Sequence, residues 1–406
     1  MSGKKKVLIM AANAGVSLST GGATTFIFRL AERIHSLYGH EVYISGYHTL
    51  DPVKLKVRYA GILLSAYDHV HVVSGNLKEN YFDIFKLIPF KLSAYNGLYF
   101  RGFKSWVEDM ILKVKPDFLV FNDDIPISAE KFIREIPTYL YIHFPLEART
   151  VDITPPLKNE RPLSEAINEF LIVKFLDSII IRKPEEIVNS VIVNSTVTQK
   201  VMNKLGRGKE DKVLSPFWTV PDKIENTKNV LLSIGTLHQE KRHELLIRAL
   251  SNIPELKELR ECYIVGYSRD RSYLKKLDSL VKRNHLERSV FIIPNAPDSK
   301  VLELLQRSLM TFQLGEFEPF GFSVLEGMSY GSIGVARKSD YSGAYLDILE
   351  RGKYGSSFRN VDELSRLISN TDQEYINELK ERSYKRTFSY TLDSFSDGIL
   401  RMMPFD

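Results

Sequence analysis

Val7-Leu8-Ile9-Met10-Ala11-Ala12 opens a pattern that decides the fold: it leads through a loop over residues 13–22 to Phe26, Ile27, Leu30, Ala31 and Ile34, and then to Glu41-Val42-Tyr43-Ile44-Ser45. The uninterrupted apolar run predicts a strand, the three-and-four spacing predicts an amphipathic helix, and the alternation after Gly39-His40 predicts a second strand. Together they form a β-α-β unit, which implies a parallel sheet covered by helices. Lysines at positions 4–6 ahead of the run resemble a secretion signal, but the run stops at Asn13 and Gly15, too early for one.

Further strands are predicted at residues 70–73, 118–121, 138–142 and 190–193, with helices between them completing a first domain. Ser215-Pro216-Phe217-Trp218 and Pro221 punctuate a link. A second unit then repeats the architecture without repeating the sequence, with strands at 230–234, 262–266, 289–293, 310–314 and 332–336, a loop at 235–241 and a helix over 244–250. The tail over 388–403 reads as helical. The class is therefore α/β, with domains at 1–217 and 218–387.

Composition agrees. A chain of 406 residues, 44% of them hydrophobic, is long enough for two cores. A net charge of +5 over 55 basic and 50 acidic residues suits an anionic small molecule or a membrane surface and is too even for nucleic acid. The single Cys262 makes no internal disulfide, which points to the cytoplasm. The apolar stretch 170–181 carries Lys174 and Asp177 and is too short to span a bilayer. Residues 77–106 interleave aromatic side chains such as Tyr81, Phe85, Tyr99 and Trp106 with Lys78, Lys86, Arg101 and Lys104. That pattern suits either a peripheral membrane contact or a core helix pair with solvated lysines.

The chemistry is concentrated in Glu316-Phe317-Glu318-Pro319-Phe320-Gly321-Phe322-Ser323-Val324-Leu325-Glu326-Gly327-Met328, where seven residues separate Glu318 from Glu326. Pro319 and Gly321 mark a turn, and Val324, Leu325 and Met328 carry the apolar face of a helix opening near Gly321. Glu318 then sits in the loop and Glu326 on the second helical turn. The free amides and positive dipole end of that helix, at Gly321, Phe322 and Ser323, suit a phosphate between the two acids.

This stretch resembles the signature of the retaining glycosyltransferases of family four. The resemblance implies two Rossmann-like domains facing across a cleft (the GT-B fold), a first domain for the acceptor, a second for a nucleoside-diphosphate sugar, and a C-terminal helix over 388–406 crossing back to the first domain. Other motifs follow in the family's order. Gly21-Gly22 opens the first helix and borders the donor or acceptor in the family. Tyr141-Ile142-His143-Phe144-Pro145 ends a strand and is similar to a segment of lipid-linked oligosaccharide mannosyltransferases, which gives His143 a role in positioning the sugar. Asn194-Ser195 matches the last strand of the first domain, although Ser195 or Thr196 as a helix cap accounts for it chemically.

Gly235-Thr236-Leu237-His238-Gln239-Glu240-Lys241 matches the family's phosphate loop in part, with Thr236 standing where the family usually has arginine. Lys241 would meet the diphosphate, Glu318 the sugar, Glu326 the ribose, and the backbone around Ile293 the base. Asp123-Asp124 has no metal-ligand spacing, and neither a cofactor nor a metal is expected. The resemblance thus implies metal-independent transfer of a hexosyl group from GDP-mannose or a UDP-sugar to a glycan or lipid-linked acceptor. Its rivals are a glycogen-synthase-type or sucrose-type transferase with a soluble acceptor, and a catalytically silent nucleotide-sugar-binding subunit, which Thr236 would favour.

Overall fold

The computed structural model describes residues 3–11, 22–46, 70–72, 101–122, 125, 127–143, 145, 183–207, 212–216, 220–221, 229–253, 261–268, 271–370 and 372–405. The chain divides into two compact units: Met1–Asn194, Thr198–Leu214 and Ser396–Asp406 form the first, and Ser195–Val197 and Ser215–Phe395 form the second. The aromatic-basic stretch from 77 to 100, Gly21, Asp123-Asp124 and the apolar stretch 170–181 lie outside the described residues.

The first unit is built on a parallel sheet of β1 (Lys6–Ala11), β2 (Glu41–Gly46), β3 (Val70–Val72), β4 (Phe118–Asn122), β5 (Thr138–Ile142), β6 (Ser190–Val193) and β7 (Lys212–Val213), in the order β3-β2-β1-β4-β5-β6-β7. Every residue of β4 and β5 is buried. A parallel strand covered on both faces needs apolar side chains at successive positions, which explains the unbroken runs in the sequence. The helix Gly22–Tyr38 turns Phe26, Ile27, Leu30, Ala31 and Ile34 inward. It ends at Gly39, whose positive φ of 69° and bond from its N–H to the His35 carbonyl (2.7 Å) form a left-handed stop.

The chain's last residues complete this unit. Phe405 is fully buried, with its ring 5.2 Å from Phe118, 5.1 Å from Tyr139 and 5.5 Å from Tyr38. The Tyr139 hydroxyl donates to the Pro404 carbonyl, and His40 Nε2 donates to the Phe405 carbonyl at 2.8 Å. The expected tail helix is interrupted: a 3-10 turn at Phe388–Tyr390 precedes the helix Leu392–Met402. Residues before Ser396 stay with the second unit because Tyr390 is buried in that unit's core beside Phe320 and Ile348.

The second unit has β8 (Val230–Ile234), β9 (Glu261–Gly266), β10 (Val290–Pro294), β11 (Ser308–Gln313), β12 (Ile333–Arg337) and β13 (Ser356–Phe358), all parallel, in the order β10-β9-β8-β11-β12-β13. The three-residue β13 and two-residue β7 are not among the strands predicted from the sequence. The two units share the doubly wound order in which strand numbering reverses beside the first strand, the place where open α/β sheets gather ligands. Among the described residues no helix is long and apolar enough to cross a membrane.

Replacing Phe405 by Ala should cost the first unit about 3–5 kcal/mol, as expected for emptying a buried aromatic site. Chemical denaturation of the variant beside wild type measures it, and Phe405→Leu should recover part of the loss.

Candidate functional site

In the second unit the strand order reverses between β8 and β11, which are hydrogen-bonded neighbours. The loop leaving β8 carries Gly235 to Lys241, and the loop leaving β11 carries Gly315 to Gly321. Both therefore emerge side by side at the carboxyl edge of the sheet, at the switch point. They touch closely enough that a Cβ on Gly315 would lie 2.6 Å from the Glu240 carbonyl oxygen. Across this contact Lys241 Nζ meets Glu318 Oε2 at 2.6 Å. The pair is half-sheltered, with side-chain exposures of 34% and 18%. The next acid, Glu316, pairs with Arg337 at the end of β12.

Glu318 is held by its backbone as well as its side chain. Its N–H donates to the Tyr341 carbonyl at 2.9 Å, and its carbonyl accepts from the Gly343 N–H at 2.7 Å. Gly343 packs on Pro319 and Phe320 so closely that no side chain fits there. Gly321 precedes the helix Phe322–Ser329 with φ of 107°, and a Cβ on it would meet the Ala344 Cβ at 2.5 Å. Only glycine serves at such a position. The helix begins at once, leaving the Phe322 and Ser323 amides in its first turn, where N–H groups have no intrahelical partner. Glu326 lies half-buried in the second turn, and together with burial its charge raises the pKa of the Tyr330 phenol. Gly327 lets the helix lie directly on Thr311 of β11.

The sequence reading missed His243, which shapes the Lys241 loop. His243 is buried, with Nδ1 3.0 Å from the Ser233 hydroxyl and Nε2 3.2 Å from the Thr236 carbonyl. A carbonyl only accepts, so Nε2 carries the proton and Nδ1 accepts from Ser233. Burial, assisted by the Lys241 charge, pushes the imidazole down to about 4, keeping it neutral and the Thr236 backbone fixed. The stem of Lys241 passes over Gly235, 3.8 Å from where a Cβ would stand. The neighbouring Glu244 is also buried, accepting from the Tyr273 hydroxyl at 2.6 Å. Nothing in local spacing distinguishes His243 from a solvated histidine, because its partners lie on the preceding strand and loop.

Ile293 stands near the end of β10. It packs with Ile234, Ala296 and Tyr330 against one apolar cluster, so the end of β10 and the helix bearing Glu326 border the same face of the sheet. The Asn295 N–H donates to the Gly266 carbonyl at 2.8 Å and ties the ends of β9 and β10 together. The structure thus gathers Gly235, Thr236, Lys241, Ile293, Glu318, Gly321, Phe322, Ser323 and Glu326 along one edge of the second unit. Among the described residues no cluster of three or more His, Cys, Asp or Glu side chains could hold a metal ion.

The remaining candidates belong to the first unit. His143 directly follows β5 and is 9% exposed, its ring 5.1 Å from both Phe26 and Tyr141. Its carbonyl accepts from the Thr198 hydroxyl at 2.9 Å, and that hydroxyl also lies 2.7 Å from Asn194 Oδ1. Asn194 therefore braces the start of the helix Thr196–Lys204 against the end of β5. Gly22 is the first residue of the helix Gly22–Tyr38.

Residues 216–386 match the family described as Glycosyl transferases group 1, and that stretch is a domain of this kind. A GDP-Man:Man(3)GlcNAc(2)-PP-Dol alpha-1,2-mannosyltransferase of Caenorhabditis elegans is 28% identical over 135 residues. That match spans 31% of this chain and 28% of the length of the worm protein. Solved structures align over nearly the whole chain. Anabaena HepE in complex with UDP and glucose covers 98% of each chain at a TM-score of 0.67 and 16% identity. Sucrose-phosphate synthase of Thermosynechococcus elongatus covers 98% of each at 0.71 and 13% identity. WaaG, a glycosyltransferase involved in lipopolysaccharide biosynthesis, covers 98% of this chain and 100% of its own at 0.66 and 13% identity. At such identities the likeness is one of fold: two parallel-sheet α/β domains of the GT-B type.

The neutral His243 makes stability depend on pH. Its folded pKa of about 4 lies below the ordinary 6.5, so between these values the unfolded chain binds a proton that the folded chain refuses. Stability should fall as pH drops through that window, by about 3 kcal/mol in all at 1.36 kcal/mol per pH unit. Urea titrations at a series of pH values should show this slope, and His243→Asn should flatten it.

Proposed function

We propose that this chain is a retaining glycosyltransferase that moves a hexosyl group from a nucleoside-diphosphate sugar, GDP-mannose or a UDP-sugar, to a glycan or lipid-linked acceptor. The observation that carries the reading is the meeting of Lys241 and Glu318 at the switch point of a glycosyl transferases group 1 domain, beside the helix start that precedes Glu326. The donor classes come from the relatives, one named for GDP-mannose and one bound to UDP and glucose.

In this reading the diphosphate lies against the amides of Phe322 and Ser323 and the Lys241 ammonium. Negative charge grows on the departing diphosphate as the bond from the anomeric carbon to its oxygen lengthens. Fixed positive groups stabilise that charge without having to reorganise. Glu318 accepts hydrogen bonds from the sugar hydroxyls and favours positive charge at the ring. Glu326 accepts from the ribose hydroxyls, and the backbone near Ile293 borders the base. His143 and Gly22 are assigned to the sugar and diphosphate from the first unit. The acceptor hydroxyl forms the new bond on the face the diphosphate leaves, and its proton passes to the departing phosphate oxygen, which gives retention. No cofactor is called on, and the reaction belongs in the cytoplasm, at the membrane face where the acceptor is lipid-linked.

Thr236 supports a second reading, a nucleotide-sugar-binding subunit without turnover, because the Lys241 loop lacks the planar fork of donors that arginine would bring. Release of nucleoside diphosphate from the donor by the purified protein separates the two readings.

Melting temperatures with GDP, UDP, ADP and their sugars should rise for one base. Glu326→Gln should weaken that nucleotide about 10- to 100-fold, the worth of a hydrogen bond to a charged group. Glu318→Gln should lower turnover about a hundredfold, comparable to losing one preorganised electrostatic partner. Unchanged kinetics in both variants would remove the site.

A further inference from the structure

We infer that Glu318 is an internal competitor of the donor's diphosphate for Lys241, and that this competition lets the site favour an intact nucleoside-diphosphate sugar over the free nucleoside diphosphate. The inference rests on the functional reading above. Carboxylate and phosphate oxygens are the same kind of partner for an ammonium group, anionic acceptors of a short charge-assisted hydrogen bond. Glu318 already takes that position on Lys241 at 2.6 Å. A diphosphate reaching Lys241 must therefore displace the carboxylate or stand beside it, and two anions sharing one half-sheltered cation repel.

The geometry says where Glu318 goes. Its backbone is pinned at both N–H and carbonyl, to Tyr341 and Gly343, so only the side chain is free to swing. Arg337 is already paired with Glu316 and does not stand in for Lys241. A free nucleoside diphosphate displaces the carboxylate and gives it nothing in return. A nucleoside-diphosphate sugar brings hydroxyl donors with its phosphate, and these satisfy the displaced carboxylate. The exchange thus penalises the product relative to the substrate and eases release after transfer.

A double-mutant cycle tests this, with UDP and GDP as the probes and calorimetry as the readout on wild type, Glu318→Gln, Lys241→Met and the double variant. Glu318→Gln should bind the preferred nucleoside diphosphate about fivefold more tightly than wild type, the worth of about 1 kcal/mol for a partly exposed ion pair. The gain should vanish when Lys241 is already Met. Circular dichroism of each near-isosteric variant confirms folding. Equal tightening in both backgrounds would mean plain charge repulsion and would overturn the exchange, as would unchanged or weaker binding by Glu318→Gln. If wild type binds neither probe, the functional reading falls together with the inference, whereas a wild type that binds alongside a neutral Glu318→Gln overturns the inference alone.

Discussion

The site depends on one contact, the close approach of the loops that leave β8 and β11 at the switch point of the second sheet. Two adjacent parallel strands whose crossovers run to opposite sides leave a crevice at their carboxyl ends. Here the loops bordering it nearly touch, and the gap is narrow because Gly315 has no side chain to hold it open against Glu240. From opposite sides of that contact Lys241 and Glu318 reach one another. A bulkier residue at Gly315 would part the loops and separate the pair, whatever the chemistry of the two side chains.

Backbone packing then fixes what the strands only approximate. Gly266 packs on the Gly235 carbonyl, Gly321 on Ala344, and Gly343 on Pro319 and Phe320, so each edge loop is seated against another. Beneath them, the π-helical turn Ala344–Ile348 is held at its carbonyl end by Arg386, whose guanidinium donates to Asp347 at 2.7 Å and Ile348 at 3.1 Å and pairs with Glu350 at 2.9 Å. Tyr354 and Tyr390 flank the same guanidinium at 4.9 and 5.2 Å. Ala344, at the other end of that turn, is the residue against which Gly321 rests. The loop bearing Glu318 is thus rigid for reasons remote from Glu318 itself, as a preorganised electrostatic site requires.

Much of this was legible in the chain because it is local. The buried strands announce themselves as apolar runs, and the Pro-Gly turn before Val324-Leu325 put Glu318 in a loop and Glu326 on a second helical turn, where the structure has them. The supports were not legible, because each joins residues far apart in sequence or hidden in an unremarkable context. His243 looks like one more polar residue in Lys-Arg-His-Glu until Ser233 and Thr236 are seen on its two nitrogens. Arg386 sits in a charge-rich helix where a solvated arginine is the ordinary expectation, and Gly343 pairs with Glu318 across 25 residues. β7 and β13, of two and three residues, owe their existence to neighbouring strands.

Three glutamates within eleven residues carry the same carboxylate and stand in different electrostatic settings. Glu316 is committed to Arg337 and serves the loop's shape. Glu326 stands half-buried on the second helical turn, where its charge adds to burial in raising the pKa of the Tyr330 phenol. Glu318 has a backbone pinned at both its N–H and its carbonyl and a carboxylate that meets Lys241 across the loop contact. Motif spacing places all three acids, but it cannot distinguish them, since the distinction lies in which groups each one faces. The sheet order decides that by bringing the β8 loop to Glu318 and the end of β12 to Glu316.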